Sequence, residues 1–250
     1  MQFGDGLFET IAVTNNRPCL WDYHVQRLQS GCDRLRIAVP DAGQLEQEVR
    51  QLIDRRQQAV LKITVTRGVS ERGYQFPAES FPTRILSLFH WDGPPTDQMR
   101  IALSRHHLGN NAGLAGIKHL NRLEQVLARS DCPEGAQEAL MLDRRGYVIE
   151  GIMSNIFFQR GAQLYTPSLD NCGVAGVTRR LVLEMAEADG MAVNTGDFTL
   201  DDVLQSDALY LTSSLGGIRY VASVMGYDWR PEAVFHPVLA KAAKQVFDHA

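Results

Sequence analysis

Hydrophobic residues recur with two different periods along this chain. Period two is clearest over Val60-Leu61-Lys62-Ile63-Thr64-Val65-Thr66, which reads as a strand. Strands are also expected after Gly4-Asp5-Gly6, from Arg84 to Phe89, from Arg100 to Ser104 and from Ala208 to Thr212. Glu138–Asp143 and Gly146–Glu150 read as a hairpin around Arg144-Arg145, and Asn15-Asn16-Arg17 as a hairpin turn. Helical spacing carries the rest. Asp22 is expected to cap a helix with Val25, Leu28, Cys32 and Leu35 on one face, closed by Pro40. Asp41 starts a second helix through Leu45, Val49 and Leu52. Leu120, Leu123 and Leu127 form an apolar stripe that places Lys118 at a helix start. Leu181, Met185 and Ala188 mark another helix, which Gly190 ends. Thr199-Leu200-Asp201-Asp202 resembles a capping box, and Pro237 begins a terminal helix.

The consecutive prolines in Trp91-Asp92-Gly93-Pro94-Pro95-Thr96 continue neither regular structure, so a linker is expected there. It divides a smaller N-terminal α/β domain, 1–92, from a larger one, 97–250. The 250 residues, 44% hydrophobic, suffice for that much core. A net charge of -4 gives no footprint for nucleic acid. No apolar run approaches the ~20 residues of a membrane span. Met1-Gln2-Phe3-Gly4-Asp5 has no charged or apolar leader region, so no secretory signal is read there. Cys19, Cys32, Cys132 and Cys172 are scattered, with neither metal-ligand spacing nor a disulfide framework, which fits a reducing cytoplasm.

Several residues carry candidate chemistry. Lys118 follows small residues in Ala115-Gly116-Ile117; a desolvated amine there is a nucleophile, a solvated one is an ordinary surface lysine. Gly176-Val177-Thr178 opens a helix, where free N–H groups and the dipole favour an anion, although ordinary helix starts look alike. Hydroxyls in Thr212-Ser213-Ser214 before paired glycines suit an anion too. Arg72 and Tyr74 lie in a glycine-bearing loop that is either a carboxylate grip or a solvated turn. Glu150, beside Gly151 at a strand end, is either solvated or a helix cap; Arg27 reads as a surface arginine near a helix start.

The stretch Gly116-Ile117-Lys118-His119-Leu120-Asn121-Arg122-Leu123-Glu124-Gln125-Val126 resembles the lysine segment of the fold-type IV pyridoxal-phosphate family, in its 4-amino-4-deoxychorismate lyase branch. The branched-chain and D-amino acid aminotransferases share that family and match more loosely. Further landmarks recur in order from Phe3 to Ser214. The resemblance implies an α+β, two-lobed, D-amino acid aminotransferase-like fold. It implies pyridoxal 5'-phosphate attached to Lys118, with Arg27, Val177, Thr178 and Ser214 on the phosphate. Glu150 would face the ring nitrogen, followed by the polar pair Ser154 and Asn155. Arg72 and Tyr74 would contact substrate carboxylate, and no metal is implied. Thr10, where the aminotransferases tend to carry glycine or valine, would assist proton transfer. The implied reaction converts 4-amino-4-deoxychorismate to 4-aminobenzoate and pyruvate in a homodimer, with no nucleic-acid or membrane partner. Family members usually carry another strand ahead of Phe3, so the resemblance implies either a truncated or misassigned start or a dispensable strand at the N-terminal sheet edge. An aminotransferase acting on D- or branched-chain amino acids is the enzyme alternative, and a chain that binds the cofactor without turnover is the other.

Overall fold

The computed structural model describes residues 2–69, 73–76, 81–96, 98–224, 226–229 and 235–248. Two compact units emerge. The first comprises 1–93, 117–121 and 247–250, and the second comprises 94–116 and 122–246. The chain thus crosses once at Gly93–Pro94, returns to the first unit for five residues around Lys118, and returns again at its end.

The first unit is built on β1 (Gly6–Thr14), β2 (Arg17–Pro18), β3 (Gln58–Thr66) and β4 (Thr83–Phe89), in the antiparallel order β2-β1-β3-β4. Asn15 and Asn16 take φ of 51° and 62° at the β1–β2 turn, a left-handed conformation that asparagine tolerates. Leu7, Ile11, Val13, Leu61, Ile63 and Val65 share one buried sheet face. The helices α1 (Trp21–Leu35) and α2 (Ala42–Leu52) supply Leu28, Cys32, Leu45 and Val49 to the same core. Asp41 caps α2 as expected, its carboxylate accepting from Gln44 N at 2.7 Å. Asp22 does not cap α1. That helix begins two residues earlier, with Leu20 at its N-cap, so Asp22 sits inside the first turn, where its charge favours the helix dipole instead.

The second unit holds β5 (Met99–Leu103), α3 (Leu123–Ser130), β6 (Glu138–Leu142), β7 (Val148–Gly151), β8 (Asn155–Arg160) and β9 (Gln163–Pro167). It continues with α4 (Val177–Ala188), β10 (Val193–Gly196), α5 (Leu200–Leu204), β11 (Ala208–Ser213), β12 (Gly217–Val224), β13 (Tyr227–Asp228) and α6 (Pro237–Gln245). The sheet order is β10-β9-β8-β11-β12-β5-β6-β7, with β13 on β12. Flat, five strand spacings would separate β7 from β8 by about 24 Å. Only residues 152–154 join them, a reach of about 14 Å from Gly151 to Asn155. The sheet therefore curls. Its interior is filled by Leu140, Val148, Ile156, Phe158, Leu209 and Leu211. Thr199 forms the anticipated capping box with Asp202 at α5. Of the described helices, none is long and apolar enough to cross a membrane.

The stripe drawn through Leu120, Leu123 and Leu127 is wrong in two respects. α3 starts at Leu123, five residues after Lys118, and buries Gln125 and Ala128 while Leu123 and Leu127 stand 76% and 50% exposed. Residues 117–121 are not helical, because backbone groups among them bond β1 instead. Phe8 N donates to Lys118 O and Leu120 N to Gly6 O, both at 3.0 Å.

Between β1 and α1 lies a buried ionic cluster. Glu9, 1% exposed, accepts from His24 Nδ1 at 2.6 Å, Arg27 Nε at 2.9 Å and Arg27 Nη2 at 2.5 Å. Burial alone would raise the Glu9 carboxyl, but the Arg27 charge and the bonds from His24 and Arg27 bring it from 4.5 down to about 2. Burial also lowers the His24 imidazole, against the pull of Glu9. A depressed carboxyl contributes stability that is complete above the unfolded value and drains away as pH falls through the folded one. The fold should therefore lose stability between pH 4.5 and about 2. Glu9→Gln should cost about 3–5 kcal/mol at neutral pH, since it strands a buried guanidinium, and should flatten that acid limb in denaturant titrations run at several pH values. An unchanged acid limb would contradict this role.

Candidate active site

Each unit presents one group of functional side chains. In the first, Lys118 is carried on the edge of β1, and its Nζ stands 4.4 Å from the centroid of the Phe8 ring. Phe8 and Thr10 are two residues apart on β1, so their side chains leave the same face. Lys62 pairs with Thr10 in register and brings a second ammonium to within 5.4 Å of the Phe8 centroid. This face thus gathers two amines, an aromatic ring and a hydroxyl, all half-buried. Arg27 lies in the Glu9 cluster described above, and its side chain is 11% exposed. Tyr74 is 84% exposed, with its ring 4.9 Å from that of Phe3. Arg72 lies outside the described residues.

In the second unit the hub is Asn155, the first residue of β8. Its Oδ1 accepts from Gly176 N at 3.0 Å, and its Nδ2 donates to Val174 O at 2.8 Å and to Glu150 Oε2 at 3.4 Å. Glu150, 4% exposed at the end of β7, also accepts from Val174 N at 2.8 Å. These bonds fix the loop 173–176 that leads into α4. Gly176 is the N-cap of α4, and a Cβ there would run into Asn155 Oδ1, so the close approach needs glycine. Val177 and Thr178 form the first turn of α4, and no side chain caps it. The first N–H groups of a helix have no partner within it. Thr178 Oγ1 is buried with no hydrogen-bond partner among the described residues.

Ser154 is placed apart from Asn155. Its Oγ donates to Glu138 Oε2 at 3.1 Å, and Met153 N donates to Glu138 Oε1 at 3.0 Å. Burial raises the Glu138 carboxyl, against the pull of these bonds. Glu138 thereby holds the turn joining Glu150 to Asn155. Ser214 is half-buried in the turn after β11, where the neighbouring Ser213 Oγ accepts from Gly216 N at 3.0 Å.

Sequence reasoning passed over Lys62 and Glu9, and it named Thr212 only within the hydroxyl run 212–214, where Ser214 was the residue singled out. Each carried the same signal, a polar side chain in the middle or at the end of an otherwise apolar strand. Thr212 Oγ1 is the second buried threonine hydroxyl with no partner among the described residues.

Residues 6–224 match the family described as amino-transferase class IV. An aminodeoxychorismate lyase of Vibrio harveyi is 33% identical over 229 residues, covering 89% of this chain and 84% of the relative. A D-alanine aminotransferase of Bacillus licheniformis is 28% identical, covering 90% and 81%. Among solved structures, a 4-amino-4-deoxychorismate lyase of Pseudomonas aeruginosa superposes with a TM-score of 0.88 at 38% identity, covering 99% of this chain and 92% of that one.

Gly176→Ala tests the tight loop. The added methyl should displace the Asn155 amide, break its bond to residue 176 and lower the melting temperature by several degrees, since loss of one or two such bonds is a change of about 1–3 kcal/mol. A melting curve that coincides with that of the parent chain would show that the approach is not tight.

Proposed function

The chain belongs to the amino-transferase class IV family, and on that premise we propose that it is a fold-type IV 4-amino-4-deoxychorismate lyase. It releases 4-aminobenzoate and pyruvate from its substrate, a step of folate biosynthesis. The likeness to two lyases over most of the chain, at 33% and 38% identity, supports this reading. The observation that carries it is the position of Thr10, on the strand face whose Phe8 ring underlies the Lys118 ammonium.

Pyridoxal 5'-phosphate is the cofactor the family implies, and the residues present fit it. A phosphate suits the uncapped first turn of α4 and the unbonded Thr178 hydroxyl. A protonated ring nitrogen suits the buried Glu150 carboxylate. Bound there, the cofactor draws electrons from the carbon bearing the substrate amine and so acidifies its proton.

The chain's own groups do the rest. Val177, Thr178, Ser214 and Arg27 hold the phosphate, and Glu150 keeps the ring nitrogen protonated, steadied by Asn155. Ser154 acts at one remove, on Glu138. Lys118 would hold the cofactor through its amine and, with that amine free, would take the acidified proton on Nζ. Thr10 would relay that proton, its hydroxyl giving one to the departing enolpyruvate as it receives the one held on Lys118 Nζ, so that both side chains return to their starting state. The substrate carries two carboxylates, which Arg72, Tyr74 and the Lys62 ammonium receive. Aromatisation of the ring supplies much of the driving force. A reducing cytoplasm suits the four cysteines, which form no disulfide.

A homodimer completes the reading. Leu123, Val126 and Leu127 stand 76%, 57% and 50% exposed at i, i+3 and i+4 on α3, an apolar stripe that suits a second copy. Val126→Glu combined with Leu127→Glu should halve the sedimenting mass at micromolar concentration; a parent chain that already sediments as a monomer would refute the dimer.

The activity is tested with enzymatically generated 4-amino-4-deoxychorismate. 4-Aminobenzoate and pyruvate should appear in equal amounts, and Lys118→Ala should abolish both. Thr10→Val should lower kcat by about 10²–10⁴-fold, the usual worth of a positioned proton donor, while cofactor uptake is retained. Exchange of amino and keto acids without 4-aminobenzoate would make the chain an aminotransferase.

A further inference from the structure

Thr212 has no part in the reading above, yet its surroundings give its hydroxyl a reason to exist. The side chain is 2% exposed at the C-terminal end of β11, and Oγ1 has no hydrogen-bond partner among the described residues. Valine would fill the same space without burying an unbonded hydroxyl, so in the empty protein this threonine is a liability.

The sheet register shows where the side chain faces. Thr212 lies directly opposite Asn155 on β8, so the two side chains share one face of the sheet. That is the face from which Asn155 reaches Gly176 N at the start of α4. Both Asn155 amide donors are already engaged by Val174 O and Glu150 Oε2, so Asn155 donates nothing to Thr212. The same helix start holds the other unbonded hydroxyl, Thr178 Oγ1, 1% exposed. α4 is twelve residues long and packs against β11. Two buried hydroxyls and the uncapped start of α4 are thus grouped around Asn155. A phosphate monoester has oxygens enough to accept from all of them.

We propose that Thr212 is a further anion-binding residue of the α4 site, its hydroxyl donating to a phosphate oxygen of the ligand held there. This rests on the cofactor reading above and adds one residue to it. The arrangement predicts opposite signs for stability and binding. In the absence of ligand the hydroxyl lowers stability, and with a phosphorylated ligand bound it contributes affinity.

The test compares the full-length apo chain with its Thr212→Val and Thr212→Ser variants. Dissociation constants are measured by absorbance titration with pyridoxal 5'-phosphate and, separately, with pyridoxal, which lacks the phosphate. Thr212→Val should weaken the phosphorylated compound about tenfold and change pyridoxal less than twofold. Its apo melting temperature should equal or exceed that of the parent. Thr212→Ser, which keeps the hydroxyl, should restore affinity for the phosphorylated compound. Unchanged affinity in Thr212→Val would overturn the proposal, as would an equal loss for both compounds, which would place the hydroxyl on the ring or assign it to the fold. A parent chain that takes up neither compound would refute the cofactor reading itself, whereas a parent that binds while Thr212→Val binds equally well refutes only the role of Thr212.

Discussion

Two backbone hydrogen bonds between β1 and the lysine segment set the chemistry of the first unit. Phe8 N to Lys118 O and Leu120 N to Gly6 O lock residues 118–120 against the strand edge. Strand geometry then fixes what each side chain can reach. Lys118 meets the ring of Phe8, Thr10 follows Phe8 on the same face, and Lys62 arrives through its register with Thr10. A slip of one residue in either pairing would turn these groups to the helix-covered face. The Glu9–His24–Arg27 cluster lies on that opposite face and pins α1 to β1, so the strand that carries Thr10 is held from both sides.

The second unit solves a different problem, which is to fix the loop 173–176 and the start of α4 against the sheet. Asn155 does most of this by bonding across 174–176 while also touching Glu150. Glu138 supports the same construction from beneath the 152–154 turn. Both buried carboxylates are met by donors, as their desolvation requires. The threonine hydroxyls at 178 and 212 are two of the buried polar groups without such a partner among the described residues. Unsatisfied polar groups gathered in one place mark where a fold gives up stability for function.

Most of what is local was legible in the sequence. The Asp41 cap, the Thr199 capping box, the asparagine turn and the β3 alternation each depend on a few neighbouring residues, and each appears where expected. Lys118, Glu150 and Thr178 were picked out by the pattern of their neighbours and Asn155 by family resemblance alone, but the partners that position them come from afar. The lysine stretch has a leucine spacing that reads as helix, and pairing with a strand more than a hundred residues away overrides it. That is also why the apolar stripe of α3 faces outward: the helix begins later and packs through Gln125 and Ala128. Asp22 failed as a cap for a smaller reason, a two-residue shift in the start of α1.

Two lysines share the Phe8 ring, at 4.4 Å and 5.4 Å, so the account depends on which of them takes the cofactor. The most direct measurement is borohydride fixation of pyridoxal 5'-phosphate on the parent chain, followed by mass mapping of its peptides. The pairing of residues 118–120 with β1 predicts label on the peptide containing Lys118 and none on the peptide containing Lys62. Label on Lys62, or label spread equally over surface lysines, would contradict it.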